Sequence, residues 1–179
     1  MTIRFLRVLC LLLPLFQTNV MARAREDERL SFSVPRAPWS LTLAKGNLTA
    51  APEQLKPDGS AGYFSLTDKD QGLNVSFFIE PVDKCNDSKS CRDMIWKLGN
   101  PAWEKPQNVV KSEIGEISYL EFFVPSFRGM AVKQQNRYVE YVVDGYWVDL
   151  HISKILYTPD DRKLFDDLIK SIKFEPKPK

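Results

Sequence analysis

The sequence predicts an α+β domain: an antiparallel, meandering β-sheet with a short inserted helix at about residues 90–98 and a longer C-terminal helix at about 159–172. Three observations carry the prediction. Apolar residues recur with period two over most of residues 30–157. Helical spacing is confined to two stretches, 91–98 and 164–172. Strands are thus grouped apart from helices, the pattern of α+β rather than α/β chains. Of the 179 residues, 44% are hydrophobic and 27% charged, which excludes a disordered chain, a collagen-like chain and a membrane bundle.

Residues 1–24 read as a signal peptide. Arg4 and Arg7 give a positive start, residues 8–16 an apolar core, and Ala22-Arg23-Ala24 a small-x-small cleavage pattern. The apolar run falls short of the ~20 residues of a spanning helix. The chain is then expected to be exported, periplasmic or secreted, with no transmembrane segment once the leader is gone. Removal of Arg4, Arg7 and Arg23 leaves 22 basic against 23 acidic residues, a balance that argues against a nucleic-acid binder driven by bulk charge. Residues 30–175 are expected to form one domain, with residues 25–29 and the polar tail 176–179 frayed.

The elements follow in order. Residues 30–34 and 39–44 read as short strands divided by Pro35 and Pro38, and residues 47–61 as loop. Residues 62–66 and 73–80 form a hairpin closed by Pro81. Cys85 and Cys91 enclose five residues, and an even pair in an oxidising compartment closes into a disulfide. Ser90 reads as the cap of a helix over 91–98 that stops at Gly99. Residues 109–114, 117–124, 130–143 and 146–157 read as four successive antiparallel strands. Thr158-Pro159-Asp160-Asp161 starts the last helix with a hydroxyl cap, a proline at the first position and two acids at the positive end of the dipole.

Asp144-Gly145 is the clearest turn. As a two-residue loop it places Glu140 opposite Asp149 and Tyr138 opposite His151 on one sheet face. That face offers two readings: a solvated polar surface, or a divalent-metal or acid/base cluster of Glu140, Asp149 and His151. The sequence has no G-x-S-x-G, H-E-x-x-H, P-loop or G-x-G-x-x-G motif, so no catalytic residue and no cofactor is assigned and enzyme activity stays undecided. Phe127 and Arg128, in the turn 125–129, and Trp103 are residue types enriched at binding surfaces. Asn47, Asn74 and Asn86 open N-x-S/T sequons, glycan acceptors if the chain passes through a eukaryotic secretory route.

The element order, with Pro38-Trp39, the strand Leu73-Asn74-Val75-Ser76-Phe77-Phe78-Ile79, the helix end Leu98-Gly99-Asn100-Pro101, the long strands from Tyr138 to Tyr157 and the close Ile169-Lys170-Ser171-Ile172-Lys173-Phe174, resembles the PsbP-like and DcrB-like superfamily of exported domains. The resemblance implies a sheet packed with helices and an accessory or scaffold role rather than a catalytic one. The chain itself is expected to bind a protein or envelope component through exposed loops and one sheet face. It carries over no functional residue.

Overall fold

In the computed structural model of the chain, residues 28–99 and 105–178 are described; the expected leader and Trp103 lie outside them. Strand makes up 52% and helix 16%, so the α+β architecture is strongly sheet-dominated. A large antiparallel sheet contains β3 (Thr49–Ala50), β5 (Gly62–Asp68), β6 (Leu73–Pro81), β10 (Tyr146–Lys154), β9 (Met130–Val143), β8 (Ile117–Phe127) and β7 (Gln107–Ile114) in that spatial order, with β4 (Gln54–Leu55) also on β5. A second sheet is formed by β1 (Arg29–Phe32), β2 (Trp39–Ala44) and β11 (Lys173–Pro176).

The simple meander needs correction. After β6 the chain crosses to the far edge at β7, then winds back β7-β8-β9-β10, so that β10 closes against β6. The inserted helix α1 (Ser88–Leu98) has 11 residues; α2 (Arg162–Ser171) has 10 and follows directly on a 3-10 turn at Pro159–Asp161, so the C-terminal helical run falls close to the expected span with a first turn that is 3-10 rather than α. The cap of α1 is Asp87 rather than Ser90, whose amide donates to Asp87 Oδ1 at 2.7 Å; Ser90 is the third residue of a capping box. The loop at 47–61 contains β3 and β4, and the last long strand stops at Lys154.

The ends of the described chain are pinned, against the expected fraying at Arg29 and Pro176. Arg29 donates to Thr42 Oγ1 and to the Ser171 carbonyl, and Lys177 Nζ donates to the Val34 carbonyl at 2.6 Å. β11 pairs with β2, placing Phe174 against Trp39 with ring centroids 4.9 Å apart.

The period-two pattern explains the layering. In β6, Leu73, Val75, Phe77 and Ile79 are buried while the residues between them face outward. Their face meets Phe32, Leu41 and Leu43 of the small sheet and Phe165 and Leu168 of α2. Phe32, Phe64 and Phe77 form an aromatic knot there, with centroids 5.1–5.4 Å apart. On the opposite face α1 lies over β8 and β9. Its Cys91, Met94 and Ile95 pack with Trp147 and Val142, and Trp96 packs against the cluster of Leu120, Phe122 and Val124. Cys85 and Cys91 form the expected disulfide, Cα atoms 5.0 Å apart, which ties the start of α1 to the loop after β6.

Candidate functional site

The Asp144-Gly145 turn forms as the sequence predicts. Both residues have positive φ, 49° and 77°, as a two-residue hairpin loop with the twist of its strands demands. The resulting register sets Asp149 opposite Glu140 and His151 opposite Tyr138. What the sequence reading missed is the cover. α1 lies over this part of the sheet, so the solvated-face reading is wrong at these positions: Glu140 is fully buried and Oδ1 of Asp149 is enclosed.

The chemistry of the pair follows from that burial. Trp147 Nε1 donates to Glu140 Oε2 at 2.6 Å, while Glu140 Oε1 and Asp149 Oδ1 have no hydrogen-bond partner. Burial raises the Glu140 carboxyl well above the usual range; the Asp149 charge adds to the rise, and the Trp147 hydrogen bond and the Arg92 guanidinium oppose it. Asp149 is pushed up to about 7 by burial and then by the negative Glu80. Two carboxyls facing each other away from water resist double ionisation, so the pair holds a proton near neutrality. Protonation also turns an acceptor-only carboxylate into a donor, which fits the two orphaned oxygens.

His151 does not join them as a third ligand or base. Its Nε2 lies 3.1 Å from Asn136 Oδ1, and its ring stacks on Tyr138 at 4.2 Å. Burial pulls its pKa down to about 4, leaving a neutral ring. Among the described residues, no group of three or more His, Cys, Asp and Glu side chains is arranged to hold a metal ion. The structure thus brings Glu140 and Asp149 together and turns His151 toward a separate polar pair.

No family model and no curated protein matches the chain.

The other sequence candidates fall at the opposite end of the sheet. Phe127 ends β8, and Arg128-Gly129 forms the tip of the β8–β9 hairpin, with φ of 50° and 79°. The Arg128 guanidinium lies 5.2 Å from the half-buried Phe127 ring, and Met130 beyond it is 64% exposed. Beside this hairpin runs β7, an edge strand paired only with β8 among the described residues. Val109, Val110 and Ile114 are exposed along it. The sequence reading also missed the bracing of that edge. Buried Arg92 of α1 donates to the Ser112 carbonyl at 3.1 Å, and Lys111 Nζ pairs with Asp93 at 3.0 Å. No spacing rule flags Arg92 as a brace, because besides the adjacent Asp93 its partners Ser112 and Glu113 stand some 20 residues away on another element. Asn47, Asn74 and Asn86 are all exposed. Among the described residues no helix is long and apolar enough to cross a membrane.

Proposed function

We propose that this protein is an exported accessory domain, periplasmic or secreted, that binds an extended segment of another envelope protein along the free edge of β7. One observation carries the reading: the large sheet ends in a braced edge strand whose outward peptide groups and apolar side chains have no cover among the described residues. Closing pair Ile114↔Ile117 and antiparallel alternation turn the N–H and C=O groups of Lys111 and Glu113 away from β8. Such groups are a template for an added strand, with side-chain pockets giving specificity. A bulge between Gln107 and Val110 breaks the regular edge, so the partner strand is limited to the stretch 110–114. The Cys85–Cys91 bond agrees with an oxidising compartment. The accessory role implied by the likeness to PsbP-like domains agrees with a binding function.

A photo-crosslinking residue placed at Val110 in the native host tests this. The expected result is one defined protein adduct from Val110 and none from the same residue at Lys69, an exposed turn position on the other side of the sheet. Equal labelling from both positions, or none from Val110, contradicts the proposal.

A further inference from the structure

The large sheet extends past α2, and between that helix and β8–β9 it leaves a groove of about 430 Å³, on the face away from α1 and the acid pair. This lies toward the lower end of the range for small-molecule sites. Its floor is Tyr119, Val139 and Tyr141; Ile169 and Ile172 wall it on the helix side and Ile117 on the strand side.

The charges are unevenly used. Arg137, 4% exposed, sits at one end and is consumed by two carboxylates, Glu121 and Asp166, each at 2.6 Å. That leaves Arg162 and Lys170, both exposed on the rim, with no ion pair or hydrogen bond among the described residues. The two stand eight residues apart on α2, about 12 Å along its axis, and Asp166 between them is already neutralised by Arg137. At the other end Tyr141, 7% exposed, keeps an enclosed hydroxyl without a partner.

We propose that this groove binds a single-chain amphipathic anion, a free fatty-acid carboxylate, with its head at Arg162 and its chain over Val139, Ile169 and Ile172. The charge pattern decides the class: an apolar trough rimmed by two unpaired cations favours an acyl chain with a negative head over a neutral or cationic amphiphile. The run from Arg162 to Ile172 is about 15 Å long at helical rise, the span of one medium-length chain. This goes beyond the docking reading, since the groove lies on the inner face of the sheet rather than on its edge.

Titration of the full-length, disulfide-intact protein with decanoate, decanol and decyltrimethylammonium tests the assignment. Decanoate is expected to bind with one-to-one stoichiometry and to weaken as salt is raised. Arg162→Gln, a surface change on an exposed helix face, is expected to weaken decanoate about fivefold, Lys170→Gln to weaken it less because Lys170 stands about 12 Å from the head, and both to leave decanol unchanged. Ile117→Trp, which fills the trough, abolishes binding of both. If decanol binds as well as decanoate, if the double Gln variant binds decanoate like the parent, or if decanoate shows no saturable binding below about 1 mM, the assignment fails. Crosslinking at Val110 is read separately, so either proposal can fail while the other stands.

Discussion

At the scale of single residues, the Glu140–Asp149 pair makes stability depend on pH in a direction opposite to that of an ordinary surface carboxylate. Asp149 titrates near the usual 3.8 of an aspartate when unfolded and at about 7 in the fold. Between those values the folded chain holds a proton that the unfolded chain has released, so stability falls as pH rises through that window. Glu140 is raised as well and acts in the same sense. His151, held down at about 4 from 6.5, works in the opposite sense: stability falls as pH drops through that interval. Two raised carboxyls against one depressed imidazole leave a net loss from pH 5.5 to pH 8. Asp149→Asn keeps the shape and removes the charge. It is expected to stabilise the protein at both pH values, and by about 2 kcal/mol, or about 4–8 °C in melting temperature, more at pH 8 than at pH 5.5. Thermal melts of both proteins at the two pH values check this; a gain that does not depend on pH contradicts it. The pairing of these residues was legible from one Asp-Gly turn, because register is counted outward from the loop. Their burial was not, because it depends on a helix that reaches them from another part of the chain.

At the scale of elements, α1 is the least self-sufficient piece of the fold. Eleven residues form a marginal helix alone, and this one is held by its capping box, by the disulfide and by the Arg92 and Ser88 contacts to the β7–β8 region. The seven-residue ring contributes about 2 kcal/mol in the chain-entropy model. Cys85→Ser with Cys91→Ser is therefore expected to lower stability by at least that amount and to raise hydrogen exchange first in α1, before β5, β6 and β10. Uniform loss across the molecule would show that α1 is no separate unit. The existence of α1 was legible from the spacing of Cys91, Met94, Ile95 and Leu98, but its true start was not. Asp87 and Ser90 are both competent caps, and the backbone turn alone selects between them. β11 was hidden for a similar reason: Lys173 to Pro176 has too few residues to show alternation, and its partner β2 lies some 130 residues earlier.

At the scale of the whole molecule, the large sheet has a sealed face and an open end. α1 closes the Glu140 side and braces β7 through Arg92 and Asp93, the small sheet and α2 close most of the other side, and the outward peptide groups of β7 are left without a paired strand among the described residues. The strands themselves were legible because one side of each strand is buried. Their order was not: the closure of β10 on β6 joins segments separated by the α1 insertion and three further strands, and a local pattern contains no record of it. Residue-resolved hydrogen exchange on the full-length protein tests the division most directly. The amides of Lys111 and Glu113, which point outward from β7, are expected to exchange within about a minute, while those of Glu140 and Asp149 exchange only through global unfolding. Protection of Lys111 and Glu113 as strong as that of β9 would mean the edge is already covered, and would contradict the account.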